Sequence, residues 1–199
     1  FEDIALMRTI PGMTVLNPSD GVSARALIKQ AVAFDGPAYI RLGRAAVPTF
    51  YTEEMAAKLE IGKGVCLRTG DKKDGKLADA TVIATGIMVN EAMLAAEELA
   101  ADGIEVRVID MHTIKPLDAD IIYRAARETG AIVTAEEHSV IGGLGSAVAE
   151  VTATHYPVKM AMVGQQDTFG ESGKPDELKA KYGMTAADIV RAVKLLIEA

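Results

Sequence analysis

Apolar positions along the 199-residue chain switch between helical and strand spacing almost from the first residue. In FEDIALMRTIPG, Ile4 and Met7, with Leu6 beside them, begin a helical apolar face. MTVLNP follows as a short strand-like run that ends at Asn-Pro. Asp20 is placed to cap the next helix, GVSARALIKQAVAF. PAYIRLG then reads as a strand and RAAVP leaves it. This β-α-β succession predicts parallel neighbours. Two strands alone make an unstable sheet, so residues 1 to about 50 are expected to lean on further chain or on a partner.

TEEMAAKLEIGKG reads as a connector, and GVCLRTGDKKDGKLADATVIATG as two strands joined by a charged hairpin turn. Beyond it the alternation is regular. In MVNEAMLAAEELAADG, Val89, Ala92, Met93, Ala96, Leu99 and Ala100 share one helix face, and Gly103 is placed to stop the helix. Strand EVRVIDMH leads to helix LDADIIYRAARETG, and strand AIVTAEEH to helix GSAVAEVTATH. Strand VKMAMVG and segment KPDELKAKYG precede the last helix, TAADIVRAVKLLIEA. There Thr185 and Asp188 have capping-box spacing, and Ile189, Val193, Leu196 and Ile197 form the expected buried stripe. The whole pattern predicts an α/β fold. Residues 63–199 are expected to form a three-layer sandwich around a mostly parallel sheet, and residues 1–62 the remnant of a second α/β domain plus a linker.

A hydrophobic share of 49% supplies ample core, and a net charge of −7 without a basic cluster argues against a nucleic-acid partner. No apolar run reaches the ~20 residues that cross a bilayer, and no secretory leader pattern is present. The single cysteine, Cys66, has no internal disulfide partner, so a reducing, cytoplasmic location is the expectation. Cys66 itself reads as a small buried hydrophobe. The first helix opens without an initiator Met and without an N-cap residue in front of it, which suggests a fragment of a longer protein.

Most candidate motifs dissolve on inspection. GDKKDGKL matches a P-loop except for Leu77 in the hydroxyl position, and it precedes a strand where a P-loop opens a helix. GGLGSAV offers Gly143 and Gly145 of a dinucleotide fingerprint, but Val148 stands in place of the third glycine and HSVI separates it from the strand. A turn that lets the helix pack closely on the sheet explains it as well. His112, His138 and His155 lie in three different elements without metal-ligand spacing. His138 follows Glu136 and Glu137 at a strand's C-terminal end, where α/β folds bind ligands, and is a secondary candidate. The stronger candidate is Arg44, just past the end of strand PAYIRLG, where a guanidinium can hold a phosphate or carboxylate bidentately. Arg41, inside that strand and pointing opposite to Ile40 and Leu42, is another secondary candidate. An ordinary surface ion pair is the alternative for either arginine.

EDIALMRTIPGMTVLNPSD, YIRLGR, TVIATG, VIDMHTIKPLD, TAEEHSVIGGLGSAVAE and FGESGKPDELKAKYG occur in one order along the chain. That ordered set resembles the C-terminal section of transketolase, from the end of the pyrimidine-binding domain through the C-terminal domain. In TIKPLD, Pro116 is expected early in a helix and Asp118 near its positive end. The resemblance implies thiamine diphosphate-dependent transfer of a two-carbon ketol unit from a ketose phosphate such as xylulose 5-phosphate to an aldose phosphate such as ribose 5-phosphate. It implies Mg²⁺ or another divalent metal in the complete enzyme, with neither cofactor nor metal held by these residues alone. It also implies no catalytic group in this section, and carries the family's substrate-phosphate arginine onto Arg44. The expected partners are the N-terminal half or subunit and a second copy in a homodimer or higher assembly, and these residues alone are expected to be inactive. 1-Deoxyxylulose-5-phosphate synthase is the nearest alternative, although its strand-end pattern is closer to RYPRG and its tail lacks FGESGKP. A 2-oxo-acid dehydrogenase β subunit would leave Arg44 without a purpose. A non-catalytic assembly module is the alternative from a different class.

Overall fold

A computed structural model describes residues 1–44, 46–72, 75 and 77–198. The N-terminal section contains α1 (Asp3–Thr9), β1 (Thr14–Leu16), α2 (Gly21–Ala33) and β2 (Ala38–Ile40), followed by the short α3 (Glu53–Ala56). Then come β3 (Val65–Arg68), β4 (Ala80–Ala84), α4 (Met88–Ala101), β5 (Val106–Asp110), β6 (Thr113–Lys115) and α5 (Ala119–Thr129). β7 (Ala131–Ser139), α6 (Leu144–His155), β8 (Lys159–Gln165), α7 (Pro175–Lys181) and α8 (Ala186–Glu198) complete the order.

The larger sheet has strand order β3-β5-β4-β7-β8. Its β5-β4-β7-β8 pairs are parallel, and β3 adds an antiparallel edge. β4 and β5 are buried at every position, which a sheet covered on both faces requires. Successive residues serve opposite layers. Val82, Val108 and Val133 join a core built with α4 and α8, while Ile83, Ile109 and Ile132 join one with α5 and α6. This is the three-layer α/β sandwich expected from the alternation.

Several local expectations are corrected. β3 and β4 form no hairpin: β5 lies between them, because β4 is flanked on both sides by parallel partners and β3 pairs with the outer edge of β5. The turn assigned to that hairpin includes residues 73, 74 and 76, which lie outside the described residues. Cys66 is exposed on edge strand β3, because its position in the strand turns its thiol away from either core. TIKPLD does not open a helix. Thr113–Lys115 instead pairs antiparallel with β1, a cis bond joins Lys115 to Pro116, and α5 begins at Ala119 behind an Asp118 side chain that accepts from the Ile121 amide. On α8, Val190 rather than Ile197 completes the buried stripe.

β6 also resolves how the two strands of the N-terminal section persist. They become a three-stranded sheet, β2-β1-β6, whose third strand comes from the far side of the sequence. The polar groups at this seam are heavily bonded. Asn17 N–H donates to His112 O at 2.8 Å, and Gly86 N–H donates to Asn17 O at 3.2 Å. Asp20 caps α2 in a reciprocal box with Ser23, and its other oxygen accepts the Phe50 and Tyr51 amides at 2.8 and 2.9 Å. Burial alone would raise the Asp20 pKa, but the amides of Tyr51, Ser23 and Phe50 and the Ser23 hydroxyl hold its carboxyl below the ordinary value.

Asp110, at the end of β5, is fully buried; its Oδ2 accepts the Ser19 hydroxyl at 2.6 Å and the Tyr51 hydroxyl at 2.8 Å. Burial pushes its carboxyl up to about 7, with the neighbouring Asp20 adding to the rise and the two hydroxyls opposing it. An acid with a raised folded pKa takes up a proton on folding, so its contribution to stability falls as pH rises from about 4 to about 7. In denaturant titrations across that window, the stability of Asp110→Asn relative to the parent is expected to rise with pH, by up to about 1.4 kcal/mol per pH unit. A pH-independent difference would show that Asp110 titrates as it does in the unfolded chain.

Candidate functional site

The segment leaving β2 is pinned at both ends. At its start the Arg41 amide donates to Leu16 O at 2.8 Å, which extends the β1 pairing by one residue. At its finish the Phe50 and Tyr51 amides are held by Asp20. Arg44 lies between these anchors. It is exposed, and it makes no hydrogen bond or ion pair with another described residue. Beside it runs a groove of 340 Å³ whose lining includes Pro18, Ser19, Gly21, Leu42, Gly43 and Ile87. A guanidinium uncommitted among the described residues, just past the C-terminal end of a parallel strand, is competent to hold an anionic group.

The two secondary candidates are placed differently. Arg41 donates through Nε to Asp3 at 3.1 Å and through Nη1 to Glu137 at 2.9 Å, with 18% of its side chain exposed. His138 is fully buried. Its Nδ1 lies 2.7 Å from Ser139 O, and its Nε2 accepts the Ala5 amide at 3.3 Å. Those partners fix the neutral tautomer that carries its proton on Nδ1, and burial lowers its pKa in the same sense. Arg41 and His138 therefore meet around α1, tying it to the end of β7. Arg44 points away from that cluster, into solvent.

The glycine turn after β7 has an internal occupant. Glu136, fully buried, accepts the Leu144 amide at 2.7 Å and the Gly145 amide at 2.8 Å, so a carboxylate of the chain itself sits at the N-terminus of α6. A Cβ on Gly143 would lie 2.0 Å from Glu136 Oε2, and one on Gly145 would lie 2.8 Å from Met162 Sδ. The glycines thus admit the carboxylate and the close approach of helix to sheet. Burial pushes Glu136 up to about 7 against the Gly145 and Leu144 amides, with Arg8 and Arg41 nearby also opposing the rise. Arg8 completes the turn by donating to Gly142 O at 2.6 Å. The role of Glu136 was missed from sequence, where only its lying six residues before the first glycine of the turn hinted at it.

This arrangement bears on whether a thiamine diphosphate and metal site could lie here. The N-termini of α2, α5 and α6 are satisfied by Asp20, Asp118 and Glu136, and that of α4 has no side-chain cap. No group of three or more His, Cys, Asp or Glu among the described residues is arranged to hold a metal ion. The residues present do not fit a diphosphate–metal site, and no chemical step is assigned to one in this chain. Nor is any helix among the described residues long and apolar enough to cross a membrane.

Comparison with known proteins supplies the family. The transketolase C-terminal domain matches residues 72–189, and the transketolase pyrimidine binding domain matches residues 1–49. A 6-deoxy-6-sulfo-D-fructose transketolase subunit of Clostridium sp. (strain MSTE9) is 49% identical over 198 residues, covering 100% of this chain and 59% of its own. A 1-deoxy-D-xylulose-5-phosphate synthase of Geobacter sulfurreducens is 38% identical over 199 residues, covering 99% of this chain and 30% of its own. The chain thus spans less than two thirds of the length of either relative. A solved structure described as a split gene transketolase, inactive beta4 tetramer, matches with a TM-score of 0.92 and 48% identity, covering 99% of this chain and 62% of that one. With the C-terminal domain matched over more than half of its sequence, the chain belongs to the transketolase family.

Proposed function

We propose that this chain is the C-terminal section of a thiamine diphosphate-dependent ketol transferase, and that it contributes Arg44 as the grip for the anionic end of the sugar substrate. The single observation that supports this most is the state of Arg44. Among the charged groups singled out at strand ends it is the one left exposed and without a partner among the described residues, whereas Arg41 and His138 are engaged internally. The remaining residues serve as a rigid wall that fixes this side chain.

The substrate class follows from the chemistry of a guanidinium. Xylulose 5-phosphate ends in a phosphate, and the 6-deoxy-6-sulfo-D-fructose named for the clostridial relative ends in a sulfonate. Both are tetrahedral oxyanions that present two oxygens to a planar fork of N–H donors. The proposed donor is therefore a ketose with a terminal phosphate or sulfonate, and the acceptor an aldose phosphate such as ribose 5-phosphate. 1-Deoxyxylulose-5-phosphate synthesis is the second reading, supported by the Geobacter relative. Its glyceraldehyde 3-phosphate also carries a terminal anion, so Arg44 would have the same work. The enzyme completed with its cofactor-binding part decides between them by turnover of xylulose 5-phosphate plus ribose 5-phosphate against pyruvate plus glyceraldehyde 3-phosphate.

In that complete enzyme, Arg44→Ala is expected to raise the KM for the phosphorylated or sulfonated donor by a factor equivalent to about 1.5–3 kcal/mol, the worth of a charge-assisted contact. An unchanged KM would make Arg44 a solvated surface residue. Residues 1–199 alone are expected to turn over no sugar and to give no heat on calorimetric titration with thiamine diphosphate and Mg²⁺. Micromolar, Mg²⁺-dependent binding to the isolated chain would refute the assignment of the cofactor site to another part of the protein.

A further inference from the structure

The residue next to Arg44 touches a part of the molecule that has no chemistry of its own. Gly43 lies so close to Ile87 that a Cβ added to it would stand 2.7 Å from the Ile87 Cγ2 methyl, well inside van der Waals contact. Ile87 is the N-cap of α4, immediately beyond the central strand β4. It is held there by backbone bonds on both sides. The Thr85 amide donates to Ala135 O at 3.2 Å, the Gly86 amide to Asn17 O at 3.2 Å, and the Met88 amide to Thr85 O at 3.2 Å. Ile87 is therefore a fixed stop rooted in the larger sheet. The loop that carries Arg44 meets it at Gly43, two residues beyond the Arg41 amide held by Leu16 and seven before the Phe50 amide held by Asp20.

We infer that Ile87 is a positioning residue for substrate binding: by bearing on Gly43 it sets how far the β2 exit loop sinks toward the larger sheet, and so where the Arg44 guanidinium stands. This rests on the reading of Arg44 as the substrate's anion grip. A Cβ at Gly43 would force either the loop or the Ile87 methyl to give way, and Arg44 is the next residue along that loop. The larger domain, without a catalytic group, thereby acts on affinity for the anionic end of the sugar. A displaced guanidinium loses a directional, bidentate contact steeply with distance and angle.

The test uses the complete, cofactor-loaded enzyme with two donors, xylulose 5-phosphate and unphosphorylated xylulose, and four proteins: parent, Arg44→Ala, Gly43→Ala, and Gly43→Ala combined with Ile87→Ala. Gly43→Ala is expected to raise the ratio of the two KM values, phosphorylated over unphosphorylated, by roughly three- to tenfold, a fraction of what deleting the guanidinium costs. The added Ile87→Ala makes room for the new methyl and is expected to bring the ratio back toward the parent. If Arg44→Ala changes the ratio but Gly43→Ala does not, Ile87 has no positioning role and the grip itself stands. A Gly43→Ala protein that loses efficiency equally on both donors, or that the second substitution does not restore, makes the contact structural and overturns the inference. If Arg44→Ala leaves the ratio unchanged, the reading of Arg44 fails and the inference falls with it.

Discussion

The constraint on which the molecule depends is the insertion of Asn17 at the C-terminal edge of the larger sheet. The main chain of β1 runs out into the space just beyond β4, where its carbonyl accepts the Gly86 amide and the Thr85 hydroxyl while its amide reaches His112 O. Gly86 has φ +57, and a Cβ there would stand 2.6 Å from the Asn17 side chain, so only glycine allows the approach. In open α/β sheets this edge, between strands that depart in opposite directions, is where ligands settle. Here β5 and β7 flank β4, and the chain has filled the crevice with its own backbone. The crevice where such sheets take up a ligand is thus filled here by the chain's own Asn17.

The same substitution of self for ligand recurs at the helix termini. Asp20 on α2 and Glu136 on α6 occupy positions that a phosphate would take in a nucleotide-binding protein. Each brings remote segments together, Asp20 through the Phe50 and Tyr51 amides and Glu136 within a turn that Arg8 clasps from the N-terminal helix. Negative charge is thus buried where the backbone is electropositive. Arg41 meets Asp3 and Glu137, which leaves Arg44 as the strand-end cation facing outward.

Local periodicity carried most of the architecture. The strand runs ATVIA and EVRVIDMH, the spacing of Val89, Ala92, Ala96 and Leu99, and the Asp20 cap all describe short-range physics that the fold retains. Misreadings arose where a distant partner decided the outcome. Thr113–Lys115 has nothing local to make it a strand; it becomes one because β1 offers an open edge. β3 was assigned to β4 by proximity in sequence, although β4 was already flanked by β5 and β7. The placement of Arg44 past the end of a parallel strand was legible, because the strand and its exit are local features. The engagement of Arg41 and His138 was not, since Asp3, Ala5 and Glu137 come near them only after folding. Glu136 entered only as a neighbour of His138, and its bonds to the following helix depend on a turn whose path no spacing rule supplies.

The shared strand β6 has a mechanical consequence. The small sheet and the large one are joined through the same few residues, Val106 to Lys115, with Asn17 wedged at the bend. A hinge needs a segment whose dihedral angles can change without breaking ladder bonds, and this joint has none. At this joint the small sheet and the large one are bound to move together as one stiff piece.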